Sequence, residues 1–333
     1  MRVGILGAGG YAGAELIRIV SAHPELEVAG LESRSHTGKS LAEVWPQLSG
    51  ERFFEPAEEV IDKSQLLFLA LPHGASGELA VKIAQAGKLA FDLSADLRLP
   101  AELYSRWYQK PAPDLLGLRA IYGLVELHRD ELKGAHLVAV PGCYPTAAIL
   151  ALAPLAKAGL LGGAIVSAAS GVSGAGRGAG NGFSEVNENY RPYSPATHRH
   201  TPEIELELSR LAGQEIRVSF VPHLAPITRG ILASCFAEPR RALSEVELAE
   251  LYQDFYAQDP FIQISLELPQ TKGTWGSNRV WISPQLDPRT GRVLVFAALD
   301  NLVKGAAGQA VQAANVALGL SETLGLSWGG IYP

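Results

Sequence analysis

Over the first 140 residues short apolar runs alternate with helical spacing, the order that a parallel sheet with crossover helices requires. Residues 3–6 read as a strand, 12–22 as a helix and 27–31 as a second strand, with further strands at 66–71, 89–93 and 136–140 and a helix at 76–86. From about Pro145 the pattern changes to an apolar helix reaching about residue 158, a strand at 163–170, and a glycine-rich loop over 171–183. Apolar runs at 216–221, 230–237 and 293–300 predict a mostly antiparallel sheet, covered on one face by helices near 202–211 and 244–258. A last helix at about 305–318 is expected to return to the first domain. The fold class is therefore α/β: a doubly wound parallel sheet plus an α+β domain. The expected division is a dinucleotide-binding domain over 1–143, completed by 303–333, and a catalytic, substrate-binding and oligomerisation domain over 144–302.

Composition narrows the class. The chain has 333 residues, 47% of them apolar and 19% charged, which suits two domains with sizeable cores. Its formal charge is 28 − 34 = −6, giving no overall attraction to nucleic acid. The longest apolar run, starting at Ala147, is broken by Pro154 and falls short of the about 20 residues a membrane span needs. The first residues reach glycines at once and read as a buried strand, not as a signal peptide. A cytoplasmic protein with neither nucleic-acid nor membrane partners is expected.

G-A-G-G-Y-A-G at 7–13 follows a strand and opens a helix. Gly7, Gly9 and Ala12 fit G-x-G-x-x-G/A, in which small residues let backbone N–H groups approach a pyrophosphate at the helix N-terminus; Gly10, Tyr11 and Gly13 complete the loop. At the end of the second strand Glu32 would hold the ribose hydroxyls of NAD, whereas Arg34 between Ser33 and Ser35 suits the 2′-phosphate of NADP, and the balance favours NADP(H). His73 in L-P-H-G either passes over the cofactor or is a plain loop residue.

P-G-C-Y-P-T at 141–146 lies between a strand and a helix whose first residue is expected to be Pro145. Cys143 there faces unpaired N–H groups and the positive end of the helix dipole, which favour a thiolate and an oxyanion on an attached carbon. Cys235, inside an apolar strand, reads as a packed core residue. T-H-R-H-T-P-E-I places His198 and His200 just before a helix capped by Thr201 with Pro202 at its first position, and one of the two is expected to transfer protons. No carboxylate or thiol set completes a metal site with H-x-H, so no metal is expected. Arg98 and Arg177 are candidates for holding an anionic substrate, with surface ion pairing as the alternative. A nicotinamide site beside a cysteine nucleophile points to thiolate attack on an activated acyl group or aldehyde, with hydride transfer at the same carbon.

These motifs, with S-A-D-L-R, S-G-V-S-G-A-G-R and P-H-L-A-P-I-T-R-G, span the chain, which closely resembles the N-acetyl-γ-glutamyl-phosphate reductase family of the aspartate-semialdehyde dehydrogenase-like group. The resemblance implies a Rossmann-type first domain and NADPH-dependent reductive dephosphorylation of N-acetyl-L-glutamyl 5-phosphate to the 5-semialdehyde, through a cysteine thioester, in arginine biosynthesis. Orthophosphate would be released, and the assembly would be a homodimer or homotetramer. Cys143 matches the family's nucleophile, and the H-R-H-T-P-E-I segment the one bearing its acid/base histidine. Arg98 matches a substrate-anion arginine, joined by Ser173, Gly174 and Arg177 of the 171–180 loop. Asn278 and Gln309 match the region that closes over the nicotinamide. Gly9 departs from the family, which often has a larger residue there. Rival readings are a reductase of carrier-bound aminoadipyl phosphate in lysine biosynthesis, aspartate-semialdehyde dehydrogenase itself, and a redox-sensing Rossmann protein without turnover.

Overall fold

Runs without polar alternation, such as Leu66–Leu69, are buried on both faces and belong inside a sheet covered by helices on each side. The computed structural model bears this out, and it describes every residue except Ser49, residues 179–181 and Pro333. Two units fold around separate sheets: Met1–Gly142 with Ala306–Leu326, and Cys143–Gly305 with Ser327–Pro333.

In the first unit β1 (Arg2–Leu6), α1 (Tyr11–Ser21), β2 (Glu27–Glu32), α2 (Leu41–Val44), β3 (Phe54–Glu55), α3 (Ala57–Lys63) and β4 (Leu66–Leu69) come first. They are followed by α4 (Gly77–Gln85), β5 (Leu89–Asp92), α5 (Ala101–Tyr108), β6 (Ile121–Tyr122), α6 (Val125–Leu132) and β7 (Leu137–Ala139). All seven strands run parallel in the order β3-β2-β1-β4-β5-β7-β6. The order reverses between β1 and β4, and such a switch point is where a doubly wound sheet leaves a crevice beyond its strand ends.

The second unit opens with α7 (Cys143–Lys157), β8 (Leu161–Ser170), α8 (Phe183–Val186), β9 (Arg191–Pro192), α9 (Thr201–Ala212) and β10 (Val218–Leu224). It continues through β11 (Ile231–Pro239), α10 (Glu245–Phe255), β12 (Ile262–Ile264), β13 (Val280–Leu286) and β14 (Val293–Leu299). The sheet order is β12-β13-β14-β11-β8-β10-β9; β10 with β8 and β12 with β13 pair parallel, the other neighbours antiparallel. Helix α7 is buried all round from Tyr144 to Ala156, which is why its sequence shows no polar stripe. Pro154 in its interior has no N–H for the Leu150 carbonyl; the Tyr256 hydroxyl donates to that oxygen instead, and Tyr252 donates to Ala151 O at 2.7 Å.

Two boundaries differ from expectation. Helix α7 begins at Cys143, so Pro145 is its third residue: proline fits anywhere in a first turn, where N–H groups lack intrahelical partners. The segment expected as one piece over 303–333 is divided. A π-helical turn, Val303–Ala307, leads into α11 (Gly308–Ala317), and Ala306–Leu326 packs in the first unit. There His23 Nδ1 accepts the Glu25 and Leu26 amides, so Nε2 carries the proton and donates to Asn315 Oδ1 at 3.0 Å. Residues 327–332 lie in the second unit, where Asn278 N–H donates to Ser327 O and the Trp328 indole to Pro260 O, each at 2.8 Å.

Candidate active site

The glycine loop follows β1 at the switch point. Gly7 has φ +80°, and a Cβ on it would lie 2.3 Å from Ala70 O, so neither the turn nor the space admits a side chain. A Cβ on Gly13 would meet Gly7 O at 2.5 Å and Ala8 Cα at 2.6 Å. Close packing of helix on turn therefore falls at Gly13 and not at Ala12, a correction to the G-x-G-x-x-G/A alignment. Gly10 is the N-cap of α1, leaving the first-turn amides of Tyr11, Ala12 and Gly13 available to an anion. The Trp45 indole donates to Ala8 O at 3.1 Å and its ring contacts Tyr11, fixing the loop from outside. Buried Glu32 accepts the Gly7 N–H through Oε2 at 2.9 Å; Ser33 is also buried, while Arg34 and Ser35 are exposed. This turn, too tight for a Cβ at Gly7 or Gly13 and ending in the first-turn amides of α1, fits a dinucleotide pyrophosphate.

A second pair of loops in the same unit is stitched by carboxylates the sequence reading passed over. Asp96 accepts amides of Gly74, Ser76 and Gly77 and the Tyr104 hydroxyl, so it caps α4 from a neighbouring loop. Burial pushes its pKa up, but these donors outweigh that and hold the carboxyl below its ordinary value. The Ser76 hydroxyl donates to fully buried Asp92 at 2.6 Å, leaving the capping to Asp96. His73 belongs to this network: its Nδ1 accepts Ala95 N–H at 3.0 Å and its ring lies edge-on to Tyr108. Arg98 is 8% exposed and donates from Nε to Val140 O at 2.7 Å and from Nη2 to Leu93 O at 2.8 Å. Expected as an anion holder, it is committed in large part to the main chain at the end of β7, three residues before Cys143. Gln309 in α11 donates to Gly123 O at 2.6 Å.

In the second unit Cys143, a half-buried cysteine outside any disulfide, is the first residue of the 15-residue α7. The π-helical turn presses against it: a Cβ on Gly305 would stand 2.8 Å from Cys143 Cβ. The ring of the next residue, Tyr144, packs against both histidines. Its ring centroid is 5.7 Å from His198 and 6.0 Å from His200, edge-on to each, and the two imidazoles are 4.8 Å apart. The Tyr144 hydroxyl donates to His223 O at 3.1 Å, so the 3.1 Å bond between Tyr144 and Tyr193 hydroxyls is donated by Tyr193. Burial raises the pKa of Tyr144, and raises that of Tyr193 to about 12; negative charge on Cys143 acts in the same direction on both. Sequence reasoning missed these tyrosines, although the H-R-H segment lies only five residues beyond Tyr193.

His200 occupies the N-cap of α9, so Thr201 is the first helical residue and Pro202 the second, one place later than expected. His198 is pushed down to about 4 by burial, with the Arg199 charge adding to the effect, and its Nδ1 accepts the His200 N–H at 3.2 Å. Ser173 is buried and its hydroxyl accepts from Asn301 Nδ2 at 3.0 Å; Gly174 and Arg177 are exposed. Residues 179 and 180 of the expected anion loop lie outside the described residues. Asn278 is fully buried. Cys235 sits inside β11, where burial pushes its thiol up to about 12.

Among the described residues no group of three or more His, Cys, Asp or Glu side chains is placed to hold a metal. No helix among them is long and apolar enough to cross a membrane.

The fold recurs in aspartate semialdehyde dehydrogenase II of Vibrio cholerae, with a TM-score of 0.74 at 17% identity over 95% of this chain and 98% of that one. It recurs also in the Candida albicans aspartate semialdehyde dehydrogenase solved with NADP, with a TM-score of 0.68 at 15% identity over 95% and 98%. Residues 2–135 match the family model "Semialdehyde dehydrogenase, NAD binding domain", and 143–301 match "Semialdehyde dehydrogenase, dimerisation domain". The class is thus an oxidoreductase of the semialdehyde dehydrogenase type with an NAD(P)-binding domain. Curated relatives named N-acetyl-gamma-glutamyl-phosphate reductase are 54% identical in Thermus thermophilus, over 99% of this chain and all of the relative, and 50% identical in Symbiobacterium thermophilum, over 100% and 99%. The chain belongs to the N-acetyl-gamma-glutamyl-phosphate reductase family.

Proposed function

We propose that the protein reduces N-acetyl-L-glutamyl 5-phosphate to N-acetyl-L-glutamate 5-semialdehyde, with release of orthophosphate, using NADPH in arginine biosynthesis. The observation that carries the proposal is a thiol at the first residue of a buried helix whose next residue, Tyr144, packs its ring against two histidines. Bound NADPH supplies the hydride, and Arg34 with Ser33 and Ser35 is assigned to its 2′-phosphate.

Cys143 sulfur attacks the acyl carbon, the bond from that carbon to the phosphate oxygen breaks, and orthophosphate leaves with the bonding pair. The resulting thioester is reduced by two electrons to a thiohemiacetal oxyanion on the same carbon. N–H groups at the start of α7 stabilise that oxygen. Collapse expels the thiolate and frees the aldehyde. His200 is assigned the proton transfers, because His198 is neutral near pH 7 and its Nδ1 is held as an acceptor. Gly174, Ser173 and Arg177 are assigned to the substrate's anionic groups, and Arg98 to fixing the segment that leads into Cys143. Asn278 and Gln309 are assigned to the nicotinamide environment. Rapid quenching with the acyl phosphate in the absence of NADPH, followed by mass spectrometry, should find an N-acetylglutamyl adduct on the peptide carrying Cys143. An adduct elsewhere, or acylation only by an aminoadipyl analogue, overturns the reading.

The assembly is assigned to a pair of identical chains through the open face of the second sheet. Ile165 and Phe236, cross-strand partners on β8 and β11, are 54% and 38% exposed, and Leu294 of β14 lies next in that row. An apolar row in the region matching a dimerisation domain suits a second copy. Sedimentation at micromolar concentration should give a dimer or larger, and Phe236→Glu should shift it toward monomer; a monomeric wild type overturns this.

A further inference from the structure

We propose that His36, which no motif singles out, reads the cofactor's 2′-phosphate as the third member of a cluster with Ser33 and Ser35; the proposal rests on the NADP reading above. Both serine hydroxyls lie 2.9 Å from His36 Nδ1 and 3.4 Å from each other, so three polar atoms converge just past the end of β2. That strand end is where a dinucleotide fold meets the 2′ position of the adenosine ribose. The cluster is also seated on the glycine loop: a Cβ at Gly9 would come within 2.5 Å of Ser33 Oγ and 2.9 Å of His36 Nδ1. The lack of a side chain at Gly9 is what lets the imidazole approach.

The imidazole is held in place independently of any ligand. His36 N–H donates to Ser33 O at 2.9 Å, Lys39 N–H donates to His36 O at 2.9 Å, and the ring packs on Phe54 with centroids 5.8 Å apart. Hydroxyl hydrogens turned on Nδ1 can rotate outward onto a phosphate oxygen, and an imidazole carrying hydrogen on Nδ1 adds a third donor to the same tetrahedral group. Arg34, exposed between the serines, supplies charge. Glu32 adds to the discrimination against the unphosphorylated cofactor, because one oxygen of the carboxylate that would take the ribose hydroxyls already accepts the Gly7 amide.

Isothermal titration of the whole chain with 2′,5′-ADP and with ADP separates the contributions. Wild type should bind 2′,5′-ADP at least ~10-fold more tightly than ADP, and His36→Phe should lose about tenfold on 2′,5′-ADP alone. Unchanged ADP affinity is the check on folding. If the phenylalanine variant does not fold, His36→Asn should show a loss in the same direction, about threefold or more. An undiminished preference in the variant, or equal losses on both ligands, overturns the role of His36 and leaves the NADP reading standing. A wild type indifferent to the 2′-phosphate overturns both.

Discussion

Cys143→Ser should lose about 10⁴-fold or more in turnover, about 5 kcal/mol of transition-state stabilisation, while its affinity for ADP stays within about twofold of wild type. The change is close to isosteric, and this matters because Cys143 has little room: even a Cβ on Gly305 would stand 2.8 Å from its Cβ. A serine oxygen fits where the sulfur sits and keeps the polarity of the helix start, so misplacement does not explain the loss. What changes is chemistry. A hydroxyl is hardly ionised near neutral pH and is a poor leaving group from the tetrahedral adduct, so both formation and collapse of the covalent intermediate suffer. Cys143→Ala should be as inactive, and steady-state kinetics beside nucleotide titration will show whether the two variants coincide. A serine enzyme within about a hundredfold of wild type would mean that the acyl group never rests on this residue.

Much of this was legible because it is local. Unbroken apolar runs such as Leu66–Leu69 mark doubly covered strands, and the loop at 7–13 announces a helix N-terminus by its glycines. The thiol at 143 and the histidines at 198 and 200 are marked by residue type and by nearby prolines. What escaped depends on partners remote in sequence. Asp96 caps a helix that begins 19 residues earlier, and no spacing rule links the two. Tyr144 is tied to a hydroxyl 49 residues away. The bond from Arg98 Nε to Val140 O, 42 residues on, is likewise invisible in its motif. Ala12 fits the nucleotide pattern as well as Gly13 does, and only the approach of Gly7 O decides between them. His36 lacked a signal because its meaning comes from Gly9 and the two serines together.

The two histidines should separate in the same way under substitution. His200→Asn is expected to lower kcat by ~10²–10⁴-fold, the usual range for removing a general acid/base, with KM changed far less. His198→Asn should cost about tenfold or less, through the loss of the nitrogen that accepts the His200 N–H. The direction of the His198 shift gives the pH test. Burial lowers it from 6.5 to about 4, so folding favours its neutral form. That contribution to stability is complete above about pH 6.5 and is lost as the pH falls toward 4. Between pH 5.5 and 9 His198 therefore remains neutral in the folded enzyme, and a limb in the kcat profile of that window is not its titration. Such a limb should survive in His198→Asn. Equal losses in the two variants, or a limb that disappears only with His198, would transfer the proton to His198 and reverse the assignment.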